Sequence, residues 1–176
     1  MVRKILLILV ILLVVFAVFI QSRPAAFSVQ RSATMAATPA TIFPHLNDFH
    51  LWDAWLPWNE LDAQMQKTYS GSPSGVGAVY EWKGNDDVGS GRMTVTEAVA
   101  NERVAIRLEF FEPMEGINPT TFTIVPQGAQ STVTWRMEGQ NGFIGKAFAV
   151  FVDMDAMLGK DFDKGLAKLK AVVERP

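Results

Sequence analysis

FIGKAFAVFVDMDAMLGKDFDKGLAKLKAVVE, residues 143–174, decides the architecture, because here the spacing of apolar residues changes from alternation to a helical period. Phe148, Phe151, Leu158, Phe162, Leu166, Leu169 and Val173 recur at intervals of three, four or seven, which lays one apolar stripe along a long terminal helix. Lys160, Lys164 and Lys168, with Asp161 and Asp163, mark much of its solvent side. Gly145, Gly159 and Gly165 weaken the case for one unbroken helix, since glycine costs about 1 kcal/mol against alanine in a helix interior. From residue 27 onward the chain otherwise reads as strands and short helices, so this is the one large apolar element available to cover a sheet.

Working back from that helix, residues 103–112, 120–126 and 131–138 alternate as strands, the last two joined by the tight Gln127-Gly128-Ala129-Gln130 connection and therefore antiparallel neighbours. Residues 67–97 alternate strands with glycine-rich turns at 71–77 and 84–91, a meander. Thr38 followed by Pro39 starts a short helix that Pro44 stops or kinks, and a second short helix over 48–56 ends at Pro57. Residues 27–36 form the first strand, with Phe27, Val29, Ala33 and Met35 on one face. The expected class is α+β, an antiparallel sheet of about seven strands with a long C-terminal helix.

Residues 5–20 are sixteen consecutive apolar residues, preceded by Arg3 and Lys4 and followed by Gln21, Ser22, Arg23 and Pro24. As a helix that run spans ~24 Å against a hydrocarbon core of ~30 Å, a difference made up by Gln21, Ser22 and the snorkelling Arg3 and Lys4. The rival reading is a cleaved secretory signal, but the exit lacks a small-x-small site. Cleavage after Ala26 puts Pro24 at minus three, and cleavage after Ser22 puts Ile20 there. We therefore read 1–22 as a transmembrane anchor, 23–26 as a short linker and 27–176 as one domain. The chain has no cysteine, so no lipidated cysteine anchors it. Positive charge before the span favours a cytoplasmic N-terminus and a domain outside the cytoplasm, on the periplasmic side in a bacterium. Beyond residue 26 stand 13 basic and 18 acidic residues, a net charge of −5 that argues against a nucleic-acid partner.

The order of elements combines with a set of motifs: Asp48-Phe49-His50-Leu51-Trp52 leading into Trp55-Leu56-Pro57-Trp58, Tyr80-Glu81-Trp82, Gly89-Ser90-Gly91-Arg92-Met93, and Thr121-Phe122-Thr123. Thr134-Trp135-Arg136-Met137-Glu138-Gly139 and Gly159-Lys160-Asp161-Phe162-Asp163-Lys164-Gly165-Leu166 complete it. Over residues 27–174 this combination resembles the SRPBCC (START-like) superfamily, in its polyketide cyclase/dehydrase-type branch. The resemblance implies a helix-grip fold with a deep apolar cavity between sheet and C-terminal helix, and a hydrophobic small molecule as partner. It implies no single chemistry.

Alternation supplies candidate lining for such a cavity. Trp135 and Met137 share a face, Phe122 lies on the equivalent face of its strand, and Ile106, Leu108 and Phe110 repeat the pattern. Tyr80 with Trp82, and Met93 with Val95, do the same, while the helix offers Phe151, Met154, Met157 and Leu158. The same stripes also suit a filled core. Trp52, Trp55 and Trp58 either close one end of that core or stand at a cavity mouth, with Trp55 and Trp58 counted among the lining; a place at the membrane surface is a third option.

Motifs for catalysis are largely missing. His45 and His50 have no partners at metal-ligand spacing, so no metal and no cofactor are expected. In Gly71-Ser72-Pro73-Ser74-Gly75 proline holds the centre where a nucleophile elbow needs serine, and the other Gly-x-Gly pairs lack a dinucleotide fingerprint. Acid–base cyclization would need a polar group inside the apolar pocket, and the candidates are Glu97, Tyr80 and Asp155. Arg92, Glu109, Arg136 and Glu138 read as exposed cross-strand charges. Three functions remain open: a membrane-tethered binder of a lipid, quinone or polyketide-like molecule; a cyclase or dehydratase; and a filled-core module regulating a neighbouring membrane protein.

Overall fold

The computed structural model describes residues 2–175. Helix α1 (Val2–Gln21) is followed by strand β1 (Ala26–Met35), helix α2 (Pro39–Asn47) and two 3₁₀ turns, Phe49–Ala54 and Pro57–Glu60. Strands β2 (Gln66–Gly71), β3 (Ala78–Lys83), β4 (Ser90–Val99), β5 (Arg103–Glu112), β6 (Gly116–Gln127) and β7 (Gln130–Gln140) come next, then helices α3 (Phe143–Phe151) and α4 (Met154–Val173). The strands make one antiparallel sheet in the order β1-β7-β6-β5-β4-β3-β2. Consecutive strands are neighbours except at β1, which returns to pair with β7. The result is a helix-grip arrangement, the sheet packed against α4.

Local chemistry explains most boundaries. Thr38 caps α2 by accepting from the Thr41 amide, with Pro39 in the first turn. Of the stop or kink expected at Pro44, the stop does not occur: Pro44 lies inside α2, which runs on to Asn47. Asp48 caps the first 3₁₀ turn, accepting from the His50 amide. Between β6 and β7, Gly128 takes a φ of +64°, a left-handed conformation that suits glycine in so tight a hairpin.

The long terminal helix is two helices. The break falls at none of the three glycines but at Val152–Asp153, where both residues are extended and Asp153 accepts from the Ala156 amide to cap α4. Gly159 and Gly165 sit inside α4 because the helix lies close to its neighbours. A Cβ on Gly165 would come within 2.9 Å of the Trp135 ring, and one on Gly159 would overlap the Arg31 guanidinium.

Between sheet and α4 the interior is filled with aromatic rings. Trp135 stacks on Phe162 at 4.1 Å and meets Phe122 at 5.0 Å, Trp55 at 5.7 Å and Trp58 at 5.9 Å. Trp52 continues the column against Trp55 at 4.8 Å and Phe49 at 5.0 Å. Trp52 and Trp55 donate their ring N–H groups to the Leu46 and His45 carbonyls, so these buried donors are satisfied.

Three carboxylates fasten α4 and its C-terminal end to the rest of the domain. Glu60 takes Lys164 and Lys168, Asp155 takes Arg31, and Glu174 takes the Ala36 amide and Lys170. Hydrogen bonds from Lys164 and Lys168 pull the Glu60 carboxyl from 4.5 down to about 2, and Asp155 and Glu174 are held low by Arg31 and by the Ala36 amide with Lys170. A carboxylate whose pKa is depressed in the folded state stabilises it above the unfolded value, and that contribution is lost as pH falls through the folded value. We therefore expect the melting temperature to hold level from pH 7 to about 5 and to fall between about 4.5 and 2, with a smaller fall at high salt. The drop will be modest because Glu60 and Asp155 are exposed and Glu174 is only partly buried. A melting temperature unchanged down to pH 2 would remove these pairs from the account of α4 docking.

Candidate functional site

Open space at the sheet–helix junction lies beside the aromatic column. It is a groove of about 640 Å³ between β1 and the α3–α4 joint, next to the chain leaving α1. Phe27 and Val29 line it from β1, which holds them on its inner face by alternation, and Phe151 and Met154 line it from the helices. Ala149 lines it from α3, and Ser28, Asn141, Asp153 and Asp155 make its lining as polar as it is apolar. The volume falls in the range of ~300–1,000 Å³ usual for small-molecule sites. The helix break makes the groove possible. An unbroken helix would have carried 143–151 along the axis of α4, whereas the extended Val152–Asp153 pair separates the two helices and leaves an opening over β1.

One wall is set by a charged contact. Arg31 shares the inner face of β1 with Val29 and reaches under α4, where it grips Asp155 through two 2.9 Å hydrogen bonds, donates to the Asp155 carbonyl and approaches Asp163 at 3.4 Å. Gly159 provides the room for the guanidinium. Arg31 is not among the residues singled out from the sequence, yet its position two residues from both Val29 and Ala33 places it on the core face of β1. Asn118 and Thr120 were missed too. Both are buried on the face of β6 that carries Phe122, with the Asn118 amide donating to the Glu138 carbonyl.

The predicted lining residues divide into three groups. Trp55, Tyr80, Trp82, Met93, Val95, Ile106, Phe122, Trp135 and Met137 are buried in the core cluster, and Trp58, Leu108, Phe110 and Leu158 pack partly buried against it. Met154 and Phe151 line the groove. Phe151 and Met157 do not face the core: they are 77% and 42% exposed, because the break at Val152–Asp153 turns the end of α3 away from the sheet and Met157 lies on the outer side of α4.

The three acid–base candidates do not converge. Glu97 was expected on the Met93 and Val95 face, but the register shifts at this point: Val95 pairs with Ile106 and Glu97 with Ala105. The extra residue, Thr96, is a β-bulge that moves Glu97 to the outer face, where it pairs with Arg103 at 3.3 Å, while Ala98 packs against the core instead. Asp155 is exposed and held anionic by Arg31. Tyr80 is buried among Phe49, Tyr69 and Trp82, and burial, aided by Tyr69 and Asp53, raises its hydroxyl far above the usual phenol value. A phenol so shifted keeps its proton at neutral pH and is a poor general base.

A smaller cleft of about 250 Å³ lies between Phe49, His50, Tyr69 and the Gly71–Pro73 turn. His50 donates from Nδ1 to the Asp48 carboxylate at 2.8 Å and stacks on Tyr69 at 4.3 Å. The neighbouring Ser72 hydroxyl is used inside its own turn, donating to the Val76 carbonyl.

Solved structures of the same shape are known at low sequence identity, and the likeness concerns the fold alone. A Thermobifida fusca protein superposes with a TM-score of 0.64 at 18% identity, over 83% of this chain and 92% of its own. A Chromobacterium violaceum protein gives 0.62 at 17%, over 85% and 98%. The Aha1 dimer from Colwellia psychrerythraea gives 0.60 at 17%, over 84% and 96%. No curated protein is similar enough in sequence to match. Residues 26–174, from the first strand to the end of α4, do match a family: the chain belongs to the polyketide cyclase / dehydrase and lipid transport family.

Proposed function

We propose that the protein is a membrane-tethered binder of a hydrophobic small molecule, a lipid, quinone or polyketide-like compound, held in the groove between β1 and the α3–α4 joint. The observation that carries this reading is the groove itself, lined by Phe27, Val29, Phe151 and Met154 and opening where the chain leaves α1. Helix α1 is 20 residues long, apolar and exposed along nearly its whole length. At 1.5 Å per residue it measures ~30 Å, the thickness of a bilayer's hydrocarbon core. A tether of that kind raises the local concentration of the domain around ligands dissolved in the membrane. The family description, which includes lipid transport, agrees with this class of ligand.

Extraction of the full chain in mild detergent, followed by native mass spectrometry and identification of co-purifying small molecules, tests the proposal. A stoichiometric apolar ligand is expected, and Ala149→Trp, which fills the groove from α3, is expected to lose it while keeping the fold. The aromatic filling of the core favours a second reading, a module that regulates a neighbouring membrane protein. A chain that is empty as purified and ignores panels of lipids and quinones would replace the first reading by that one.

A further inference from the structure

Helix α3 has an apolar face that the domain leaves uncovered. Not one of its nine residues is buried, and Phe143, Ile144, Phe148 and Phe151 are 51%, 71%, 45% and 77% exposed. At ~100° per residue these four fall within an arc of roughly 140°. The single charge, Lys146, lies outside that arc and donates to the Gln21 carbonyl at the end of α1, at 3.1 Å. A helix this short does not persist in water on its own propensity, and a contiguous aromatic patch of this kind marks a contact surface.

The position of α3 indicates what covers it. It packs on the last turns of α1, where Ile20 is completely buried although the rest of α1 is exposed. The end of α1 also carries interfacial chemistry, the Arg23 guanidinium lying over the Phe19 ring at 4.4 Å. The segment Phe143–Phe151 contains no acidic residue, Lys146 and Arg23 stand beside it, and the nearest carboxylates, Asp153 and Asp155, lie past its C-terminal end on the groove side, with Asp155 paired to Arg31.

We propose that α3 is an interfacial helix, its Phe143, Ile144 and Phe148 side seated in the bilayer surface beside the end of α1, so that the groove opens directly onto lipid. This rests on the reading of α1 as a membrane-spanning helix. The occupant of the α3 face is the lipid surface itself. Ligand would then pass between bilayer and groove along Phe151 without crossing water.

The absence of cysteine makes the test direct. Single variants Phe143→Cys, Ile144→Cys and Phe148→Cys of the full chain, with Leu12→Cys in α1 and Val125→Cys and Lys160→Cys on the domain surface, are labelled with a nitroxide. They are reconstituted in phosphatidylethanolamine–phosphatidylglycerol vesicles. We expect the three α3 labels and Leu12→Cys to be relaxed by dissolved oxygen and shielded from an aqueous nickel chelate, with the reverse at Val125→Cys and Lys160→Cys. Three water-exposed α3 labels beside a lipid-embedded Leu12→Cys would overturn the interfacial helix while leaving the tether intact. A water-exposed Leu12→Cys would overturn both. Spin–spin broadening among α3 labels that persists at high lipid dilution would overturn the proposal in favour of a second copy on this face.

Discussion

Trp135→Ala is expected to lower the unfolding free energy by about 3–5 kcal/mol, the range for removing a large aromatic side chain from a packed interior. Trp135 is 3% exposed and touches every part of the grip. It stacks on Phe162 of α4, meets Trp55 and Trp58 from the 3₁₀ region, and meets Phe122 of the adjacent strand. None of these can collapse into the space without pulling a helix toward the sheet, so the cavity term is expected near its maximum. Trp135→Phe should cost much less. The ring Nε1 is buried without a hydrogen-bond partner among the described residues, so phenylalanine keeps the stack and removes an orphan donor. Urea unfolding of the full chain in detergent, followed by far-ultraviolet circular dichroism, measures both. A loss below about 1 kcal/mol for Trp135→Ala would mean that the centre of the grip is not close-packed, and would move the ligand site from the groove to the core. With the core filled as described, Trp135→Ala should still carry the groove ligand under conditions where it remains folded.

Gly91→Ala is expected to cost about 1–3 kcal/mol, toward the upper end, although it adds one methyl group. The added Cβ would stand 2.4 Å from the Glu109 carbonyl oxygen and 2.4 Å from Cη2 of Trp82. Trp82, opposite Gly91 in the β3–β4 pair, covers the glycine with its indole, anchors its ring N–H on the Val88 carbonyl at 3.3 Å and meets Phe110 edge-on. The methyl group must therefore expel the ring and displace a strand backbone together. A double-mutant cycle with Trp82→Ala separates the two. If the ring is the main obstacle, Gly91→Ala becomes nearly harmless in the Trp82→Ala background; if the carbonyl is, most of the cost remains. A Gly91→Ala protein as stable as the parent would show that the indole does not lie over this glycine.

How far these features were legible follows from the range of the interactions that make them. Strand positions and faces came from alternation, because a strand exposes its two sides to different environments every second residue. That reading held for Tyr80 and Trp82, for Trp135 and Met137, and for Ile106, all of which are buried. It failed at Glu97 because one bulged residue, Thr96, inverts the parity downstream, and the signal for the bulge lies in the partner strand's register rather than in β4 itself. The terminal helical period is visible in the sequence, and its glycines put continuity in question without placing the break, which falls at Val152–Asp153. Glycine inside α4 is tolerated because close approach to Arg31 and Trp135 needs a missing Cβ, and capping by Asp153 opens the break elsewhere.

Family membership is carried by motifs spread along the chain, while the order of strands and terminal helix and the apolar N-terminal run are carried by local periodicity, so all of these are legible without the fold. Only the tertiary structure decided where space is left. Three tryptophans contributed by the segment between α2 and β2 meet Phe122, Trp135 and Phe162 from distant parts of the chain and close the centre. The Arg31–Asp155 contact and the break before α4 hold the groove at the β1 edge. A cavity is the volume that packed side chains fail to occupy, and that depends on how far elements approach one another, a quantity no single segment encodes.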